Sequence, residues 1–97
     1  MITFFIPSYL RSFTQGRSSV DVDASPSTVR EALEALFALH PGVRDRVLTE
    51  TGLVRVHVNI FVGPEAIRWT GGLDTPTPPG CEISIVPAVS GGRTLGI

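Results

Sequence analysis

Apolar residues alternate with polar ones in several short stretches, which is the pattern of β-strands that bury one face. In the first stretch Ile2, Phe4 and Ile6 share one side and Phe5 takes the other. The predicted strands are 2–6, 20–22, 54–62, 66–69 and 82–86. Residues 70–80 contain three prolines and three glycines and are expected to form a loop, with the pair at 71–72 in a turn.

One helix is predicted between the second and third strands. Its apolar residues recur at helical spacing, namely Val29, Leu33, Leu36 and Phe37. Ser25-Pro26 predicts the start, since a capping hydroxyl followed by proline is typical of helix N-termini. His40-Pro41-Gly42 predicts the end.

The order of strands and helix favours an α+β fold. A mixed sheet wrapped around one main helix, the β-grasp architecture, fits this order, with the first and last strands side by side at the sheet centre. The chain of 97 residues has room for one domain. We expect the domain to cover residues 1–89 and a flexible tail to cover 90–97.

Composition and charge argue against several classes of protein. A net charge of −1 argues against nucleic-acid binding, and no apolar run reaches the length of a membrane span. The start has no signal-peptide pattern. The single cysteine, Cys81, excludes an internal disulfide and fits a reducing compartment. The expected location is cytoplasmic.

Two glycines, Gly91 and Gly92, follow the last predicted strand, and residues 93–97 follow them. A backbone without Cβ atoms can enter a channel too narrow for side chains. Such a tail suits a chain whose own carboxyl group reacts, and here residues 93–97 block that group until they are removed. Val89 and Ser90, together with Gly91, are expected to be needed for entry into partner sites.

All eight basic residues are arginine. One interpretation is a compositional habit of the source. The other is that lysine is excluded because its amine would attack an activated carboxyl group on the same molecule. The sequence leaves both interpretations open.

Four stretches carry a family resemblance: Ile6-Pro7 with Leu10-Arg11, residues 58–62 (VNIFV), 68–73 (RWTGGL) and 85–92 (IVPAVSGG). On these stretches the chain resembles the ThiS and MoaD-type sulfur carriers of the ubiquitin-like superfamily, and within them the branch that serves cysteine biosynthesis. It departs from them in having Gly80-Cys81 where Gly-Asp is common, and in continuing beyond the second glycine.

The resemblance implies a protein cosubstrate that is not itself an enzyme and binds no cofactor or metal. A zinc-dependent JAMM-type protease would cut between Gly92 and Arg93. An E1-like enzyme would then adenylate Gly92 with ATP, and sulfide or a persulfide would convert it to a thiocarboxylate. The acceptor implied is a pyridoxal-phosphate-dependent cysteine synthase.

The predicted docking surface is the sheet face away from the helix. Phe5, Phe61, Val86 and His57 fall on that side of the alternation, and surplus apolar side chains there would mark an interaction site. His57 has no second ligand nearby in sequence, so no metal site is expected.

Other functions stay open at this stage. The sulfur could go to molybdopterin, thiamine, transfer RNA or a secondary metabolite. The chain could also be a β-grasp interaction module without carrier chemistry, with residues 93–97 as a permanent end.

Overall fold

The computed structural model of the protein describes residues 1–88. Five strands lie within them: β1 Ile2–Phe5, β2 Ser19–Val22, β3 Val58–Val62, β4 Glu65–Ala66 and β5 Glu82–Pro87. They form one sheet in the order β2-β1-β5-β3-β4. The central strands β1 and β5 are parallel, and the other neighbouring pairs are antiparallel. The predicted pairing of the first and last strands at the centre is confirmed.

The main helix, α1, spans Val29–Leu39. The predicted start at Ser25-Pro26 is wrong, because Thr28 is the N-cap and its hydroxyl accepts a hydrogen bond from the Glu31 amide at 3.3 Å. The Glu31 carboxylate in turn accepts from the Ser27 amide at 2.7 Å. This reciprocal arrangement resembles a capping box and satisfies two amides at the helix start.

The core lies between the sheet and α1. The inward residues of β1 and β5 alternate as predicted, and the apolar face of α1 covers them. Fully buried members of this core include Ile2, Phe4, Leu33, Leu36, Ile83 and Ile85. Each such side chain contributes about 1.5–3 kcal/mol of transfer free energy. Phe37, predicted on the inward face of α1, is partly buried against this core.

From the sequence, the segment after α1 is predicted only to end the helix. The chain instead forms a 3₁₀ turn at Pro41–Val43 and a short helix, α2, at Arg44–Val47. Val43 and Val47 are fully buried, so this segment closes one end of the core.

The predicted long strand over residues 54–62 is too long by four residues. Val54 pairs with Leu48 in an isolated bridge, and the Arg55 amide donates to the Val47 carbonyl at 2.9 Å. The backbone of these residues therefore bonds the α2 region, and β3 begins only at Val58. Val56, which the alternation of the predicted strand would place on the same buried face as Val58, is 97% exposed.

The predicted strand over 66–69 is only partly present. β4 covers Glu65–Ala66, and Ile67–Trp69 forms a 3₁₀ turn. The predicted loop after it contains a further 3₁₀ turn at Gly72–Asp74. Gly71 and Gly72 have φ values of 120° and 62°, which side-chain-bearing residues rarely adopt, so this pair is a turn as predicted.

Candidate functional site

The last described residues, Pro87 and Ala88, lie beside the start of β3. Pro87, the last residue of β5, pairs with Val58. The Ala88 amide then donates to the carbonyl oxygen of His57 at 2.8 Å. We call this place the tail exit, defined by His57, Val58, Pro87 and Ala88. Any reactive group further along the chain is connected to the domain at this place.

Several predicted site residues lie outside the described residues. They are Val89, Ser90, Gly91, Gly92 and Arg93. The predicted boundary between the domain (1–89) and the tail (90–97) lies there too. These assignments stay predictions.

Three predicted docking residues lie on the sheet face away from α1. Phe5 and Phe61 both pair with Ser84, one from each neighbouring strand, and Val86 pairs with Asn59. These five residues define what we call the outward face. Phe5 is 40% exposed, and Phe61 and Val86 are half-buried. Ser84 and Val86 of this face belong to β5, the strand that ends at Pro87.

His57 has a different position from the other three. It precedes β3 and is exposed, and its backbone carbonyl forms the hydrogen bond to Ala88. His57 therefore belongs to the tail exit, and its part in docking stays a prediction.

A shallow groove adjoins the outward face and was not predicted from sequence. Phe61 and Pro64 line one part of it, and Arg68 and Trp69 line another. Trp69 is 81% exposed. The only Trp in the chain, next to an arginine in a motif that carries the resemblance, was the signal that could have marked it.

The polar chemistry of the described residues is sparse. Within residues 1–88 no group of three or more His, Cys, Asp or Glu side chains is placed to hold a metal ion. The Arg30–Asp74 and Arg44–Asp45 ion pairs are exposed, and exposed pairs stabilise little. Burial raises the pKa of the Tyr9 hydroxyl. It also raises the pKa of the Cys81 thiol, which makes that thiol a weaker nucleophile at neutral pH.

One further observation concerns membranes. Among the helices within residues 1–88, none has the length and apolar character that crossing a bilayer requires.

The sheet order and the single main helix define the ubiquitin-like β-grasp class of proteins. The last strand of this chain, β5, lies at the sheet centre, and residues 88–97 follow it in the sequence. Within that class, the chain belongs to the ThiS family, whose model matches residues 5–92.

Individual relatives agree with this membership. The sulfur carrier protein CysO of Mycobacterium tuberculosis is 37% identical over 93 residues, which cover 94% of this chain and 98% of that protein. The small archaeal modifier protein 1 of Haloferax volcanii is 38% identical over 73 residues, covering 75% of this chain and 78% of that protein.

A solved structure is similar over nearly the whole chain. In the crystal structure of the Amycolatopsis orientalis BexX/CysO complex, one chain matches with a TM-score of 0.85 and 33% identity. The match covers 95% of this chain and 100% of that one. Relatives are named sulfur carrier proteins, which agrees with the expectation that this chain is a protein cosubstrate and not an enzyme.

Proposed function

We propose that the protein is a sulfur carrier whose reactive group is the carboxyl of Gly92, exposed when residues 93–97 are removed. The family match, which runs from residue 5 to Gly92, is the observation that carries this proposal. Relatives named sulfur carrier proteins support it. The protein acts as a cosubstrate for other enzymes, and we place its action in the cytoplasm.

Activation has to come first, because a carboxylate is a poor electrophile. An E1-like partner joins the Gly92 carboxylate oxygen to the α-phosphorus of ATP, and pyrophosphate leaves. Sulfide attacks the acyl carbon and AMP leaves, which gives the thiocarboxylate directly. An enzyme persulfide instead forms an acyl disulfide as AMP leaves, and a second thiol of that enzyme attacks the enzyme-side sulfur, which releases the thiocarboxylate and leaves an enzyme disulfide. The product is a thiocarboxylate, whose sulfur is ionised and nucleophilic near neutral pH, as a thiolate is.

Reach explains why the reactive group lies on a tail. Residues 88–92 span about 16–18 Å when fully extended, at roughly 3.3–3.6 Å per residue. The tail exit at His57 and Ala88 holds the base of this segment on the domain. The glycines let its last part enter a narrow partner site.

Removal of residues 93–97 is the maturation step of this proposal. A zinc-dependent JAMM-type protease hydrolyses the peptide bond between Gly92 and Arg93. Water supplies the oxygen of the new Gly92 carboxylate, and the peptide that begins with Arg93 leaves.

The acceptor we favour is in cysteine biosynthesis, because the relatives named CysO share 37% identity with this chain over 94% of its length. The thiocarboxylate sulfur adds to the β-carbon of an aminoacrylate on a partner's pyridoxal-phosphate-dependent synthase, which forms a thioester to Gly92. The Gly92 acyl group then moves from sulfur to the amino nitrogen of the new amino acid, and the protease hydrolyses that amide with water to release the amino acid and the Gly92 carboxylate. Delivery to molybdopterin, thiamine, transfer RNA or a secondary metabolite uses the same activated Gly92.

Partners recognise the outward face. Phe5 and Phe61 flank Ser84 there, and Val86 carries the same face toward the tail exit. A partner that covers this face has the base of the tail beside it, so docking and insertion of the tail occur together. His57 lies where such a partner would reach the tail.

A second candidate function is conjugation to other proteins. The relative named small archaeal modifier protein 1, 38% identical over 75% of this chain, favours it. The same adenylate would then acylate an amine of a target protein. Amide-linked conjugates in the host would distinguish this function from sulfur transfer.

Reconstitution tests the proposal. The chain ending at Gly92 is incubated with the E1-like enzyme of its host, ATP and sulfide, and its intact mass is measured. We expect an increase equal to the replacement of one oxygen by sulfur. A matched chain ending at Ile97 serves as the control and should not change. An unchanged mass for the chain ending at Gly92 would contradict the proposal.

A further inference from the structure

The contacts in the structure explain the choice of arginine over lysine at only some of the eight basic positions. Arg11 donates from Nε to the carbonyl oxygen of Ile6 at 3.2 Å, and Arg55 donates from Nε to that of Asp45 at 2.7 Å. Lysine has no such side-on donor along its stem, so it could not reproduce these contacts. At these two positions the guanidinium geometry is sufficient reason for arginine.

At other positions lysine would serve equally well. Arg30 and Arg44 make single exposed ion pairs at 3.3 Å and 3.4 Å, which an ammonium group can also make. The Arg46 guanidinium lies 4.9 Å from the centre of the Phe13 ring, and lysine forms cation–π contacts as well. The absence of lysine from all 97 residues therefore has a cause other than these contacts.

The only thiol of the chain is also kept away from the tail. Cys81 immediately precedes β5, whereas the tail exit lies beyond Pro87 at the opposite end of that strand. Seven steps of extended chain separate Cys81 from Ala88, a distance of about 22–24 Å, which exceeds the roughly 16–18 Å that residues 88–92 can span. Cys81 is also half-buried, and that burial raises the pKa of its thiol.

We propose that the chain excludes amines and accessible thiols from the reach of its tail, so that the activated Gly92 does not acylate the carrier itself. This inference rests on the proposed carrier function. It concerns the adenylate, since that intermediate is the electrophile which any nearby amine can attack.

The side reaction that is avoided can be written in full. A neutral lysine Nζ attacks the acyl carbon of the Gly92 adenylate, the new C–N bond forms, and the bond to AMP breaks. AMP leaves with the electron pair, and the nitrogen loses a proton to solvent. The product is an amide, which is one water molecule lighter than the starting carboxylate and amine.

Arginine does not take part in this reaction, because its guanidinium stays protonated in proteins. Only a small fraction of lysine is neutral near pH 7, but tethering raises its effective concentration to about the millimolar range. An acyl group passed to the exposed imidazole of His57 would be lost again by hydrolysis, so it leaves no stable product.

The test introduces an amine beside the tail exit. Val56 is 97% exposed and stands two residues before Val58, which pairs with Pro87. Val56→Lys places an amine there without disturbing the core. Val56→Arg is the matched control, because it adds the same charge and similar length without a nucleophile. Glu82→Lys places an amine at the far end of β5.

Each variant is made as a chain ending at Gly92, which retains every core residue named above. It is incubated with the E1-like enzyme and ATP, once with sulfide and once without. Intact mass distinguishes the amide, lighter by one water, from the thiocarboxylate, heavier by the exchange of oxygen for sulfur. Peptide mapping then locates the amide.

We expect Val56→Lys to form the amide within one molecule at about tenfold or more above Val56→Arg. Glu82→Lys should fall between them. Equal amide in Val56→Lys and Val56→Arg, with normal thiocarboxylate in both, would overturn the inference and leave the carrier function intact. Absence of both products from every variant would overturn the carrier function and this inference together.

Discussion

The Ala88 amide donates a 2.8 Å hydrogen bond to the carbonyl oxygen of His57, one residue before β3 begins. This bond extends the β3–β5 ladder by one step beyond the Val58–Pro87 pair. The tail therefore starts from a fixed point at the edge of the outward face. A partner bound to that face meets the tail at a defined place.

The first prediction concerns Gly92. Gly92→Ala should block both trimming and adenylation, because a Cβ at that position hinders entry of the backbone into a narrow site. The described core lies within residues 1–88, so the free energy of unfolding should change by less than about 0.5 kcal/mol. Cleavage and adenylation assays measure the first effect, and thermal unfolding measures the second. Loss of the folded state in this variant would show that the domain boundary is wrong.

The second prediction compares two neighbouring residues of β1. Phe4 is fully buried and Phe5 is 40% exposed, since they point to opposite faces of the sheet. Phe4→Ala should lower the free energy of unfolding by about 3–5 kcal/mol, and Phe5→Ala by about 1 kcal/mol. Urea denaturation of both variants checks this. Similar losses for the two would mean that the faces are assigned wrongly.

The third prediction concerns docking. Phe61→Ala should weaken binding to the E1-like partner by about tenfold, or about 1.4 kcal/mol, because an aromatic anchor is removed from the outward face. Glu34→Ala, exposed on α1 at the other side of the sheet, is the control and should bind normally. Calorimetry with the purified partner measures both. Unchanged affinity for Phe61→Ala would place the docking surface elsewhere.

The fourth prediction concerns the start of α1. Thr28→Ala should lower the free energy of unfolding by about 1 kcal/mol, because the Glu31 amide loses its side-chain acceptor. Thr28→Ser keeps that acceptor and should retain most of the stability. Chemical denaturation distinguishes the two. If the alanine and serine variants unfold alike, the hydroxyl does not cap the helix.

The fifth prediction concerns Cys81. Burial raises the pKa of its thiol, so alkylation should reach half its maximum rate at a higher pH than for the unfolded chain. The folded state then holds its proton more tightly than the unfolded state does. Stability should therefore fall as pH rises through the pKa of the unfolded thiol. A Cys81→Ser variant should lose this part of the pH dependence.

Local patterns predicted much of this fold. The alternation at Ile2, Phe4 and Ile6 and the final strand at 82–86 were visible because one face of each is buried. The extension of β3 back to Val54 was wrong, because the amide of Arg55 bonds Val47 rather than a strand. The hydrogen bond to Val47 requires α2, and a helix of four residues is too short to show a helical period in the sequence.

The candidate site also has a part that the sequence predicts and a part that it does not. The strand period places Phe5, Phe61 and Val86 each opposite the inward residues of its own strand, and the strand pairing brings the three onto one face of the sheet. The single Trp could have marked the place of the groove, but the shape of the groove depends on β4 ending after two residues and the chain turning into a 3₁₀ segment, which no local pattern predicts. The helix starts after Thr28 rather than at Ser25, because the Thr28 hydroxyl accepts from the Glu31 amide and the Glu31 carboxylate accepts from the Ser27 amide.

Intact mass of the protein recovered from its own host tests the central claim most directly. Our account predicts a population that ends at Gly92, part of it heavier by the exchange of one oxygen for sulfur. Only full-length protein ending at Ile97, in cells that contain the matching protease and activating enzyme, would contradict it.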